Sequence, residues 1–412
     1  MSNTSEHHKQ VLSSDDLIAL FKRSRKHSID LIANLSPEDC QAQSMEDASP
    51  AKWHLAHVTW FYELMLLKPF ENQFSYWNPQ FAILFNSYYN GVGDKHPRNK
   101  RGLITRPSME EVLAWRKNID KRVTELLRKE SSSELRWLLK LGIQHEQQHQ
   151  ELLLTDINHL FSHNSLYPAY FLNNTETCST TDEFHWIKGV SGLVDIGYKG
   201  DEFHFDNETP KHSALNQTHS IGSRLVNNSE WLHFIEDGGY QDFTWWLDEG
   251  WTWLQTKSID SPLYWSQDEE SLRYRFSLYG RSLLDMHAPV SNISYFEADA
   301  FARWASKNIS KYAGARLPTE FEWEAFAELK SKSSTDMFDK VWQWTSSNYV
   351  PYPGYVPWQG VAGEYNGKFM VNQMVLRGSS CYTPKGHSRI TYRNFFPTHA
   401  RWQMTGLRLA KN

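Results

Sequence analysis

The stretch SELRWLLKLGIQHEQQHQELLLTDINHLF, residues 133–161, reads as one long helix with polar chemistry at its centre. Leu, Ile and Trp recur at helical spacing on either side of that polar middle. Within it, His145 and His149 stand four positions apart. Residues so spaced share one face about a turn apart, so two imidazoles there can reach a single metal ion. The same spacing also arises on a solvated helix face, and the pair alone leaves both readings open.

Three further helices are expected upstream. Asp15 and Asp16 are expected to cap a first, carrying Leu17, Ile18, Leu20, Phe21, Ile29, Leu31 and Ile32. Ser49-Pro50 opens a second, AKWHLAHVTWFYELMLL (51–67), and Pro107-Ser108 a third, MEEVLAWRKNIDKRVTELL (109–127), whose acidic first turn complements the helix dipole. Four helices of this length predict an up-and-down bundle. The connection over residues 68–106 is long for a compact domain, and such loops are usually functional. Residues 163–184 read as a polar linker. Beyond them short β-like runs alternate with Gly, Asn, Asp and Trp, with helices clearest at 290–307 and 319–329. The expected fold is α+β in two domains: a helical bundle over 1–162, a linker over 163–184, and a mixed, loop-rich domain over 185–412.

A length of 412 residues is ample for two cores, and a net charge of -5 provides no basic footprint for nucleic acid. No apolar run reaches the roughly 18 residues that span a membrane, and the opening MSNTSEHHKQVLSSDD lacks a secretory layout. Cys40, Cys178 and Cys381 are far apart with no Cys-x-x-Cys pair, which excludes a thiolate zinc site and a disulfide scaffold. A cytoplasmic location is expected. The 18 Trp, 19 Tyr and 22 Phe fit a loop-rich fold, because they bury area while keeping a polar handle.

A third imidazole is available from His57, in WHLAH on the second helix, with His54 nearby. Three neutral nitrogens leave open positions on an octahedral metal, which suits iron with substrate and O2; zinc favours four-coordinate closure. The pentapeptide His145–His149 also satisfies His-Glu-x-x-His, in which Glu146 would be the general base of a zinc hydrolase. The following QELLLT lacks the glycine-containing continuation of metzincins, but the motif by itself leaves the two readings standing.

Taken together, SPAKWHLAH (49–57), FNSYYNGVG (85–93) with KHPR (95–98), HEQQHQE (145–151), EYNGKFM (364–370) and TYRNFFP (391–397) resemble the ergothioneine-type sulfoxide synthases. These are iron enzymes that couple hercynine to a cysteine-containing thiol. The resemblance implies a DinB-like four-helix bundle followed by a formylglycine-generating-enzyme-like domain with a C-type-lectin core. That second domain is marked by FDNETP (205–210), ARLPTEFEWE (315–324), WQWTSS (342–347), LRGSS (376–380) and GLRLA (406–410). Only Cys381 stands where formylglycine-generating enzymes carry a cysteine pair, so that chemistry is not expected and Cys381 reads as structural.

The resemblance implies His57, His145 and His149 as ligands of Fe(II), with His54 a helix neighbour. Gln148, Asn394, Phe395 and Phe396 would bind hercynine, with Phe395 facing its trimethylammonium. Tyr88 or Tyr89 would supply a proton or hydrogen atom. Arg98, Arg401 and Asp47 would hold the carboxylate and amine of the thiol substrate. The loop resembles the branch that takes free cysteine more than the one taking γ-glutamylcysteine. Selenoneine-type and ovothiol-type synthases are the neighbouring alternatives, and the zinc hydrolase the remote one.

Overall fold

The computed structural model describes residues 12–130, 132–172, 183–330 and 336–412; most of the expected linker, with Cys178, lies outside these. The chain forms two compact units, Met1–Tyr88 with Val92–Gln150, and Tyr89–Gly91 with Glu151–Asn412. The organisation is α+β, with a helical unit first and a mixed unit after it.

The first unit contains α1 (Ser14–Asp30), α2 (Pro37–Gln41), α3 (Ala51–Tyr62), α4 (Lys68–Phe70), α5 (Phe81–Leu84), α6 (Met109–Lys129) and α7 (Ser133–Ser162) as far as Gln150. The cap of α1 is Ser13 rather than the expected Asp15-Asp16 pair. Its hydroxyl accepts from Asp16 N at 3.1 Å while the Asp16 carboxylate accepts from Ser13 N at 2.9 Å. Such a reciprocal box satisfies two orphan amides at once, and Asp16 serves it from the third helical position. Ser108 caps α6 by accepting from Glu111 N at 3.2 Å. Helix α3 follows Pro50 without a side-chain cap and runs into a π turn over Glu63–Leu67. Trp60, Trp115, Leu139, Phe21 and Ile119 form the apolar interior. Gly142 of α7 lets α3 come close: a Cβ there would lie 2.6 Å from the Tyr62 ring.

The second unit carries α8 (Asn228–Glu236), α9 (Asp248–Lys257), α10 (Tyr295–Asn308) and α11 (Glu320–Lys330) around short strands. One sheet orders β1 (Trp186–Lys188), β4 (Ser220–Gly222), β13 (Ala410–Lys411) and β8 (Ala315–Arg316). A second orders β11 (Asn394–Pro397), β10 (Gln373–Gly378), β9 (Trp342–Asn348) and β12 (Thr405–Gly406). Strand β2 (Gly192–Ile196) pairs with β3 (His212–Asn216), and β5 (Trp265–Gln267), β6 (Arg273–Ser277) and β7 (Gly280–Leu283) make a meander. The pairings are antiparallel except β9 with β12. Aromatic stacking fills the interior, as where Trp231 lies 4.8 Å from Phe301 at 8°. Buried charge is paired: Glu320 accepts from Arg377 and Arg393, each at 2.9 Å. Cys381 is a free, exposed cysteine, and Cys40 is free and buried. No described helix is long and apolar enough to cross a membrane.

Candidate metal centre

All twelve residues of α3 are buried, so its histidines stand in an apolar interior. His57 and His145 are buried and His149 is half-buried. One ligand atom from each lies within 4.8 Å of the others, the one such group of three among the described residues. The ring centroids are 4.9, 4.7 and 4.7 Å apart, close to an equilateral triangle. The His57 ring is held between two indoles: Trp53 stacks at 4.6 Å and 10°, Trp60 at 5.3 Å and 17°. Trp53 precedes His57 by four positions and Trp60 follows it by three, the spacings that put side chains in contact on a helix. Arg101 lies 3.4 Å over Trp53 and donates to Ser49 at 2.9 Å and Ser87 at 3.0 Å. It thereby ties the long loop to the start of α3.

The protonation pattern suits metal binding. His57 Nδ1 is 2.7 Å from the Phe85 carbonyl oxygen, which only accepts, so the proton belongs on Nδ1. That leaves the lone pair of Nε2 for an ion, and His145 Nε2 lies 3.1 Å away. Burial first, and then neighbouring imidazoles, hold His57 and His149 well below the ordinary histidine value. Burial lowers His145 to about 3. Three imidazoles neutral near pH 7 are the donor set that a divalent ion such as iron or zinc takes.

Glu146 turns the other way. It accepts from Ser28 Oγ at 2.6 Å and from Arg25 at 3.2 Å, and it pairs with Arg116. Gln150, one turn on, donates to Ser28 Oγ and the Ser24 carbonyl, both at 2.9 Å. Burial would raise the Glu146 carboxyl, but Arg116 and Arg25 outweigh it and hold the value down to about 2. A carboxylate so held is a poor proton acceptor, and it does not face the imidazole cluster.

The remaining candidates are distributed over both units. Gln148 is half-buried on α7, one turn from His145. Tyr88 is half-buried at the end of the first unit's loop, whereas Tyr89 is fully buried and belongs to the second unit. Beside Tyr89, the amides of Asn90 and Gly91 donate to Glu364 at 2.9 and 2.7 Å. Arg98 and Asp47 are exposed neighbours: the guanidinium donates to the Asp47 carbonyl. Arg401 is in the second unit, 3.4 Å from Glu297 and donating to the Ser261 carbonyl. Asn394, Phe395 and Phe396 are half-buried on β11, where Asn394 is opposite Leu376 and Phe395 opposite Val375. Tyr349 stacks on Phe395 at 4.0 Å.

Three partners of His57 do not figure in the sequence analysis. The Phe85 carbonyl is main chain and carries no sequence signal. The indole pair flanking His57 was legible in W-H-L-A-H-V-T-W, where the spacing alone puts both tryptophans against the histidine.

Comparison with known proteins gives the relationships of the whole chain. Residues 20–153 match the DinB superfamily, and residues 172–335 match the sulfatase-modifying factor enzyme 1-like domain. A hercynine oxygenase of Mycobacterium tuberculosis is 27% identical, covering 97% of this chain and 99% of that protein. This chain resembles the hercynine oxygenases over most of its length. The Mycolicibacterium smegmatis hercynine oxygenase is also 27% identical, over 88% of this chain and 91% of its own length. Ergothioneine biosynthesis protein 1 of Schizosaccharomyces pombe is 25% identical over 51% of this chain and 28% of that protein.

Proposed function

We propose that this protein is an Fe(II)-dependent oxygenase that joins the thiol of cysteine to the imidazole ring of hercynine, giving hercynylcysteine sulfoxide. The observation that carries the reading is the cluster of His57, His145 and His149: three neutral imidazoles with no carboxylate among them. The similarity to hercynine oxygenases over nearly the full length supports the substrate. Atoms and electrons balance with O2 as oxidant. The thiol S–H and a ring C–H are lost, a C–S bond forms, one oxygen goes to sulfur, and the other leaves as water.

Iron bound to the three histidines would supply O2 activation and a binding position for the thiolate. The protein's own groups would do the rest. Gln148 would hydrogen-bond the hercynine imidazole, and Asn394, Phe395 and Phe396 are proposed as further hercynine contacts. Tyr88 or Tyr89, through the phenol O–H, would deliver a proton or hydrogen atom to reduced oxygen. Arg98, Arg401 and Asp47 are proposed for the carboxylate and amine of cysteine. The hydrolase reading is disfavoured, because its general base would be Glu146, which is locked ionised between two arginines.

The experiment is product analysis by mass spectrometry with hercynine and, separately, cysteine, γ-glutamylcysteine and a selenium donor. A sulfoxide adduct with cysteine is expected, and replacing both Tyr88 and Tyr89 with Phe should divert thiol to cysteine sulfinate. Efficient turnover with the selenium donor alone, or attachment at another ring carbon, would overturn the assignment in favour of a selenoneine-type or ovothiol-type enzyme.

A further inference from the structure

We propose that His54 is a positioning residue of the metal centre: its Nδ1 accepts the Nδ1–H of His149 and so leaves the Nε2 lone pair of His149 for the ion. The inference rests on reading His57, His145 and His149 as ligands, and it adds a fourth histidine with a different task.

His54 is 3% exposed and precedes His57 by one turn on α3. Its Nδ1 lies 2.9 Å from Nδ1 of His149, with ring centroids 5.2 Å apart. The Trp53 ring lies near both, at 5.9 Å from His54 and 6.1 Å from His149. Two ring nitrogens at this distance share one proton, because two lone pairs would repel and two N–H groups would clash. Were His54 the donor, a neutral His149 would carry its hydrogen on Nε2, and neither of its nitrogens could bind a metal. Donation from His149 is therefore the arrangement compatible with ligation, and His54 must then keep its own proton on Nε2. The Phe85 carbonyl fixes the tautomer of His57 in the same way, through Nδ1 at 2.7 Å. Partners of this kind orient the ligand ring and raise its basicity.

The test is a Co(II) titration followed by visible absorption in wild type, His54→Leu, His54→Asn and His149→Ala, with circular dichroism to verify folding. The Asn amide oxygen occupies the place of Nδ1 and still accepts. His54→Leu should weaken Co(II) binding by about 10–100-fold with unchanged band positions, and His54→Asn should restore most of the affinity. In metal-free wild type, long-range 15N–1H spectra should show His149 as the Nδ1–H tautomer, a readout that survives even if His54→Leu does not fold. Unchanged affinity in folded His54→Leu, or an Nε2–H tautomer of His149, would overturn the proposal. Shifted Co(II) bands in His54→Leu would make His54 a ligand instead. Wild type that binds no Co(II) would sink the three-histidine reading itself, and this proposal with it.

Discussion

A glutamate next to a metal ligand acts as a base when it can take up a proton, and Glu146 is held against doing so. Its oxygens are met by Ser28, Arg25 and Arg116, all buried. Its role is structural: it neutralises two guanidinium groups that the bundle has removed from water. Replacing Glu146 with Gln leaves those cations under-compensated, and breaking such a pair costs about 3–5 kcal/mol. Urea unfolding of Glu146→Gln should register that loss, while the folded fraction still binds divalent metal. A variant as stable as wild type that loses a hydrolytic activity present in wild type would restore Glu146 as a catalytic base. In the second unit, Glu230 chelates Arg224 with contacts at 2.9 and 3.0 Å. Burial opposes the shift, but Arg224 and then Tyr312 bring its carboxyl down to about 2. A depressed carboxyl stabilises the fold above its unfolded value and loses that contribution as pH falls through the folded one. The contribution, roughly 3 kcal/mol, should be full at neutral pH and decline below about pH 4.5. The stability gap between wild type and Glu230→Gln should therefore narrow on acidification; a gap independent of pH would contradict the pairing.

At the scale of elements, α7 illustrates what the sequence conveys and what it withholds. Its length and its histidine face were readable from periodicity, because residues 133–161 repeat apolar positions at the helical period. Ser13 was passed over for Asp15-Asp16 because both choices place an oxygen near the helix start; which one caps depends on a turn of backbone that composition does not fix. The π turn at Glu63–Leu67 and the 3-10 turn at Arg98–Leu103 were likewise invisible, since each departs from the regular period on which the reading relies. Gly142 carries a local signal with a non-local cause. A mid-helix glycine ordinarily costs about 1 kcal/mol relative to Ala, so Gly142→Ala would normally stabilise. Here the added methyl would meet the Tyr62 ring at 2.6 Å, and Tyr62 is fully buried. The substitution should instead destabilise by about 1–3 kcal/mol, read as a lower melting temperature. An increase would show that α3 and α7 can separate without cost.

For the molecule as a whole, the two kinds of architecture were legible because their local periods differ, helical before about residue 160 and short-stranded after it. The sheet order was not. Strand β4 sits between β1 and β13, so Ile221 is opposite both Ile187 and Ala410, partners remote in sequence. Such pairings follow from packing of the complete unit, and no local pattern announces them. The candidate site divides along the same line. The histidine triad was visible because each histidine lies in a strongly patterned helix, whereas the partners proposed to fix its tautomers come from a loop carbonyl and from His54, for which the sequence suggests only a helix neighbour. The proposed metal centre and its chemistry make a demand on the intact protein that the hydrolase reading does not share. That demand is best tested by measuring O2 consumption and adduct formation together, with hercynine and cysteine, in Fe(II)-loaded wild type and in His149→Ala. One O2 should be consumed per sulfoxide formed, with neither detectable without iron or in His149→Ala. Adduct formation that persists in His149→Ala, or iron-loaded protein that leaves both substrates and O2 untouched, would contradict the proposed chemistry.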